Sequence, residues 1–318
     1  MSTAKEIVLD VRDLTKQFPM GKDRTLLAVD RVSFTIRRGE CFAVIGESGC
    51  GKSTLARLIT RVEDITSGEV FFLGEDLAKI RRNDLKAVRR NMQIIFQSPI
   101  SVISPRMKIG TFLMEPYLNY RLCPKDEARG RIRQLLSDVR LSEDLLEKYP
   151  HQLSGGELQR ICIARAFSLH PELLVCDEIT SALDVSVQED VLKSFHALQA
   201  ETGTACLFIC HDLAVVNNYS DTVMVMYLGQ AVEVMKSKEL GMKAVHPYTR
   251  GLLRSILFIS SRREGRVQTI GGEPQSPVNI PDNCHFCTRC SLAEERCFGQ
   301  RPPLREVEEG HWAACFRL

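Results

Sequence analysis

Two hydrophobic patterns divide the chain. Short apolar runs without alternation occur at Cys41-Phe-Ala-Val-Ile45, Leu173-Leu-Val-Cys176 and Cys206-Leu-Phe-Ile-Cys210. Such runs predict strands buried on both faces, hence a parallel core. Nearer the start, Glu6-Ile-Val-Leu-Asp-Val-Arg and Arg31-Val-Ser-Phe-Thr-Ile-Arg alternate more, which predicts an antiparallel layer with one wet face. Leu55, Leu58, Ile59 and Val62 recur at helical spacing and predict one buried helix face. From Ser98 to Arg160 the pattern is mostly helical, so residues 98–160 are expected to form an inserted helical subdomain. Past about Leu240 the chain changes character: Gly271-Gly-Glu-Pro-Gln-Ser-Pro-Val-Asn-Ile-Pro281 is a Pro/Gly-rich loop, and a cysteine-rich end follows it. No internal repeat and no low-complexity tract is present. The expected class is α/β. Residues 1–240 would hold a mixed or parallel sheet core, the antiparallel layer and the helical subdomain, and residues 241–318 a small Cys-rich domain.

Composition narrows the class without naming a function. A chain of 318 residues suggests two domains. At 44% hydrophobic and 26% charged it is neither collagen-like, mostly disordered nor a disulfide scaffold. The net charge of +2 offers no global basic field for nucleic acid. The basic stretch Lys79, Arg81, Arg82, Lys86, Arg89 and Arg90 reads as a solvated helix face. No apolar run approaches the roughly 18 residues of a membrane span. Lys5, Glu6 and Asp10 argue against a signal peptide. The expectation is a soluble, cytoplasmic protein that reaches a membrane only through partners. Twelve cysteines is the unusual count. Cys41, Cys50, Cys123, Cys162, Cys176, Cys206 and Cys210 are scattered, mostly in apolar runs, and read as small core hydrophobes. Cys284, Cys287, Cys290, Cys297 and Cys315 crowd the last 35 residues and point to a metal site.

Gly46-Glu-Ser-Gly-Cys-Gly-Lys-Ser53 matches G-x-x-x-x-G-K-[ST] between an apolar strand and a helix. Gly46, Ser48, Gly49, Cys50 and Gly51 would turn backbone N–H groups onto phosphate oxygens, at the positive end of the helix dipole. Lys52 would reach the β- and γ-phosphates, Ser53 would ligate Mg²⁺, and Thr54 would bond a neighbouring phosphate oxygen. Asp177 and Glu178 end a hydrophobic strand, where Asp177 suits a Mg²⁺ contact and Glu178 could polarise a water; capping the next helix is the other reading. Leu153-Ser-Gly-Gly-Glu157 opens a helix with Ser154 as N-cap, able to bind a phosphate from outside or simply to start a helix. His211 and Gln97 each follow a strand end, where a phosphate sensor or a solvated side chain would equally fit.

Taken together, the phosphate loop, Gln97, Leu153-Ser-Gly-Gly-Glu157, Asp177-Glu178, Ser181-Ala-Leu-Asp184 and His211 resemble an ABC-transporter ATPase in order and spacing. Ser181-Ala-Leu-Asp-Val-Ser-Val-Gln188, His246-Pro-Tyr-Thr249 and Gly272-Glu-Pro-Gln-Ser-Pro277 extend the resemblance to the ATP-binding subunits of oligopeptide, dipeptide and nickel importers, over essentially the whole chain. Two positions depart from the family: Glu157 stands for Gln in the signature, and Ile179 replaces the Pro that would stiffen the turn after Glu178. The resemblance implies an ATPase using ATP and Mg²⁺ that drives import of peptides or a nickel or metal chelate. In that family Glu178 is the base, His211, Gln97 and Lys52 assist catalysis, and Ser53, Gln97 and Asp177 hold Mg²⁺. Phe18 is the candidate adenine-stacking ring, with core packing as its other reading. Ser154, Gly155, Gly156 and Glu157 would cover the ATP of a second, related cassette in a head-to-tail heterodimer. Two membrane permease subunits and an extracytoplasmic binding protein would complete a transporter, this chain lying peripherally on the cytoplasmic face of the inner membrane, with no nucleic acid involved. The rival class is a soluble ABC ATPase acting on nucleic acid or ribosomes. Against it, only about 56 residues separate Gln97 from Leu153, with no heptad tract, and the chain has one phosphate loop.

The terminal cysteines are spaced Cys284-x₅-Cys290-x₆-Cys297-x₁₇-Cys315, with Cys287 inside the first interval. Their chemistry suits tetrahedral zinc or an iron–sulfur cluster. The family resemblance, carried by Asn283-Cys-His-Phe-Cys-Thr-Arg-Cys290, implies a 4Fe–4S cluster on Cys284, Cys290, Cys297 and Cys315, with Cys287 spare.

Overall fold

In a computed structural model the chain is described over residues 6–81, 83–181, 183–261 and 270–318. Lys5, Arg82 and Ala182, used in the sequence reading, lie outside the described residues, as do the side chains of Val185 and Ser186. Twelve strands occur among the described residues: β1 (Ile7–Pro19), β2 (Thr25–Arg37), β3 (Cys41–Ile45), β4 (Ser67–Phe72), β5 (Glu75–Asp76), β6 (Met92–Ile95), β7 (Leu173–Asp177), β8 (Ala205–Ile209), β9 (Thr222–Tyr227), β10 (Gln230–Lys236), β11 (Arg305–Glu308) and β12 (His311–Ala313). The chain divides into two compact units of interleaved segments.

One unit is built from Leu9–Ile36, Cys41–Lys79 and Ile209–Leu318. Its first sheet runs β2-β1-β4-β5, with β1 antiparallel to β4 and Val11 opposite Val70. In β2 the alternation is clean: Val32, Phe34 and Ile36 are buried between exposed Arg31, Ser33, Thr35 and Arg37. This is the expected antiparallel layer. The second run of strands, β11-β12-β10-β9-β3, is mixed. Fully buried β3 pairs parallel with β9, β9 is antiparallel to β10, and Glu233 of β10 faces Ala313 of β12. The strands β11 and β12 are not among the expected elements. The helix Lys52–Ile59 buries Leu55, Leu58 and Ile59 completely. Val62, expected on the same face, lies past the end of that helix: Arg61 takes φ 54°, and Val62 is 56% exposed.

The other unit is built from Ile80–Phe208, Arg37–Glu40 and the described residues of Met1–Val8. It holds β8-β7-β6 in that order, with β6 parallel to β7 and Ile95 beside Cys176. No strand occurs between Ser98 and Arg160 among the described residues. Instead the helices Ile109–Asn119, Lys125–Asp138 and Gly155–Phe167 pack on one another, as the pattern predicts. Phe195, on the helix Val185–Thr202, sits 5.8 Å from Phe167 and 5.9 Å from Phe208, between ring centroids. The helix Leu85–Asn91 buries Leu85 and exposes Lys86, Arg89 and Arg90, a solvated face. Of the scattered cysteines, all but Cys123 are buried, across the two units.

Candidate functional site

The loop Gly46–Ser53 leads from β3 into the helix Lys52–Ile59. Two of its glycines, Gly46 and Gly51, are required by close backbone approach. A Cβ on Gly51, at φ +109°, would meet the Ala28 carbonyl oxygen at 2.2 Å, and one on Gly46 would meet that of Met226 at 2.2 Å. Ser48 and Gly49 are exposed at the tip, and Ser53 and Thr54 are half-buried in the first helical turn. Lys52 is folded back into the loop: its Nζ donates to the Gly46 carbonyl at 2.9 Å and to the Glu47 carbonyl at 3.1 Å. Glu47 is held from outside the motif. Its N–H donates to Tyr248 Oη at 2.9 Å, and Arg289 donates to both its carboxylate oxygens, at 2.8 and 3.2 Å. Phe18 is half-buried near the end of β1, with Lys16 Nζ 4.6 Å from its ring centroid. His211 is exposed just before the helix Leu213–Tyr219, whose N-cap is Asp212.

The other unit brings together Gln97, Glu178 and Ser181. Gln97 Nε2 donates to the Glu178 carboxylate at 2.8 Å and to Ser181 Oγ at 3.3 Å. Glu178 follows Asp177 at the end of β7 and takes φ 52°, a left-handed backbone that non-glycine residues rarely adopt. Ser181 closes the turn, donating its N–H and hydroxyl to the Glu178 carbonyl at 3.1 and 3.0 Å. Ile179 is only 2% exposed, so buried side-chain packing holds the turn where a proline is absent. In the same unit Ser154 caps the helix Gly155–Phe167. Its N–H and hydroxyl both donate to the Glu157 carboxylate at 2.8 Å, and Glu157 N–H donates back to Ser154 Oγ at 3.3 Å. These bonds, the backbone one first, hold the Glu157 carboxyl below its ordinary range. Gly156 is fixed by packing, since a Cβ there would meet Val187 Cγ1 at 2.4 Å. Ser181, Tyr248 and Arg289 carried no assigned role in the sequence, although all three lie inside motifs quoted there.

The five terminal cysteines line one small cavity of about 20 Å³, together with Phe286 and Phe316. Burial pushes the Cys284 thiol up to about 12, and nearby Cys297, Cys287 and Cys290 add to the shift. Among the described residues no three His, Cys, Asp or Glu side chains are grouped so as to hold a metal ion.

Residues 29–181 match a protein-family model described as ABC transporter. Residues 232–297 match one described as the C-terminal region of oligopeptide/dipeptide transporters. A probable peptide ABC transporter ATP-binding protein of Sinorhizobium fredii is 44% identical over 98% of this chain and 90% of its own length. The chain belongs to the ABC transporter ATP-binding proteins of the oligopeptide type. The oligopeptide transport ATP-binding protein OppF of Haemophilus influenzae is 39% identical over all of this chain and 99% of its own. Among solved structures, a dimeric ATP-binding cassette in a post-hydrolysis state with ADP and Pi superposes with TM-score 0.66 at 27% identity, covering 72% of this chain and 98% of that one. The cbiO1 protein of Clostridium perfringens, part of an ABC transporter complex, gives 0.67 at 27% identity, covering 75% of this chain and 92% of that one. The cassette fold, the ATPase class and the role of importer subunit expected from the motifs therefore stand, and the soluble ATPase of nucleic acid or ribosomes is not favoured. Among the described residues no helix is long and apolar enough to cross a membrane.

Proposed function

We propose that this subunit binds Mg-ATP on the loop Gly46–Ser53 and hydrolyses it to drive peptides through two membrane permease subunits, from an extracytoplasmic binding protein. The names of its relatives support peptide as cargo. One observation carries the catalytic reading: Gln97 is hydrogen-bonded to a Glu178 held in strained backbone at a strand end. Glu178 acts as general base toward the attacking water, and Gln97 and His211 report the γ-phosphate. Lys52 exchanges its contacts with the Gly46 and Glu47 carbonyls for phosphate oxygens. Ser48, Gly49, Cys50 and Thr54 supply further phosphate contacts, and Phe18 stacks on the adenine. Ser53, Asp177 and Gln97 offer the oxygen donors Mg²⁺ prefers, and the ion neutralises charge developing on the phosphates. Ser154, Gly155, Gly156 and Glu157 cover the ATP of a related but different cassette in a head-to-tail pair.

The reading divides the chain into a cassette up to about residue 240 and a C-terminal Cys-rich domain. It places the subunit peripherally on the cytoplasmic face of the inner membrane. The helical subdomain is the docking part: an open groove of about 480 Å³ there is lined by Met114, Leu118 and Ile132 and edged by Lys108, Arg129 and Glu147. Although the described side chains are not grouped around a metal, the family resemblance supports a 4Fe–4S cluster that Cys284, Cys290, Cys297 and Cys315 would hold, with Cys287 spare. Five thiols on one cavity are the right donors. Tetrahedral zinc on the same thiolates is the alternative. The cluster would brace this segment rather than carry electrons. In the assembled transporter Glu178→Gln is expected to bind Mg-ATP normally and to lose about 10²-fold or more in hydrolysis. Near-normal turnover would remove Glu178 as the base.

A further inference from the structure

The loop Gly46–Ser53 is fastened by a side chain from the far end of the chain. Arg289 sits on the single turn Cys287–Arg289, between two of the clustered cysteines. Its side chain is 6% exposed. The guanidinium grips the Glu47 carboxylate with a fork of two bonds, at 2.8 and 3.2 Å. It also donates to Tyr227 Oη at 3.3 Å, to the Gly271 carbonyl at 3.2 Å and to the Ile270 carbonyl at 3.4 Å. Every polar edge of the fork is thereby used, and the planar cation is fixed in place. Tyr248 takes the Glu47 N–H from a second direction. Tyr248 is itself seated by ring contacts to Tyr227 at 4.6 Å and to Phe286 at 5.5 Å. Phe286 is the neighbour of Cys287, so both anchors of Glu47 rest on the cysteine-bearing turn.

Glu47 is the first variable residue of the phosphate motif. A carboxylate within a loop that must receive a triphosphate is unfavourable unless its charge is balanced, and Arg289 supplies that balance. We propose that Arg289 is a positioning residue for ATP binding. It neutralises and immobilises Glu47, so that the loop meets the phosphates without a bare carboxylate and without having to be ordered first. This rests on the reading that Gly46–Ser53 cradles phosphates. It extends that reading by giving the cysteine-rich segment a direct hold on the nucleotide site.

The test is a double-substitution cycle on the full-length chain, with Kd for Mg-ATP measured by titration calorimetry and the unfolding midpoint recorded for every variant. Arg289→Met is expected to weaken binding about ten-fold, because it leaves Glu47 charged and unpaired. Glu47→Gln, which loses the ion pair but also the stray charge, should weaken it about three-fold. The double variant should bind no more weakly than Glu47→Gln alone. In the assembled transporter Arg289→Met should raise the KM for ATP with kcat within about two-fold. Arg289→Lys keeps the charge without the fork and should fall about three-fold short, which preserves the test if Arg289→Met does not fold. Wild-type affinity in Arg289→Met or Arg289→Lys would overturn the proposal. So would a double variant whose loss is the product of the two single losses. Lys52→Ala separates the layers: wild-type ATP binding there would overturn the phosphate-loop reading itself.

Discussion

His246 is 2% exposed, and its ring accepts the N–H of Tyr248 at 3.1 Å through Nδ1. Burial pulls its pKa from 6.5 down to about 4, against a weaker opposing bond to the Ala314 backbone. Facing it is Glu233, whose carboxylate accepts the N–H groups of Val245 and His246 and lies 2.8 Å from His311 Nε2. Between pH 6.5 and 4 the unfolded chain binds a proton at this position that the folded chain does not. The stability contribution of neutral His246 is therefore complete above pH 6.5 and is lost as pH falls towards 4, by at most about 1.4 kcal/mol per pH unit. His246→Gln keeps a polar partner for Tyr248 but does not titrate. Its urea midpoint should fall less steeply between pH 6.5 and 4 than that of the native chain. Parallel slopes would mean that His246 is already protonated in the folded state.

At the scale of the element, the helix Gly155–Phe167 shows local sequence and local structure in agreement. Ser154 and Glu157 form a reciprocal capping box, a pattern that Glu and Gln fill alike. That is the physical reason the departure from Gln is tolerated. Ser154→Ala should cost about 1 kcal/mol of unfolding free energy in urea, whereas Glu157→Gln should cost almost nothing. Equal losses in the two variants would show that the cap is not what Ser154 contributes. The same locality explains what could be read in advance. The buried strands β3, β7 and β8, the phosphate loop and the Asp177–Glu178 strand end each declare themselves within a dozen residues. The strands β11 and β12 do not. Arg305–Glu308 is four largely polar residues, strand-forming only because β12 lies beside it and β10 beyond. Val62 fell outside its helix because Arg61 turns left-handed, which no apolar period signals. The partners of Glu47 were illegible for the same reason: Tyr248 is 201 residues away and Arg289 is 242. Ser181 as the support of Glu178 needed the turn itself to be seen.

For the whole molecule, the proposed head-to-tail arrangement predicts that the isolated chain is a weak ATPase, since its own signature would serve another subunit's nucleotide. Addition of the partner ATPase and the permeases should raise turnover per chain. Full activity independent of protein concentration would refute the composite site. Protein purified without oxygen should be brown, with about four irons per chain, and Cys287→Ser should be the mildest of the five cysteine substitutions. Colourless protein with one zinc would exclude the cluster and keep the site. The ion pair between Glu47 and Arg289 also has a consequence in time. Translation at about 5–20 residues per second separates the two residues by roughly ten to fifty seconds. A nascent chain whose first strands are already paired carries its phosphate motif unanchored until the cysteine-bearing turn has left the ribosome. If Arg289 positions the loop as proposed, a product that stops before Arg289 would hold ATP more weakly than one that includes it, and would compete for nucleotide on unequal terms.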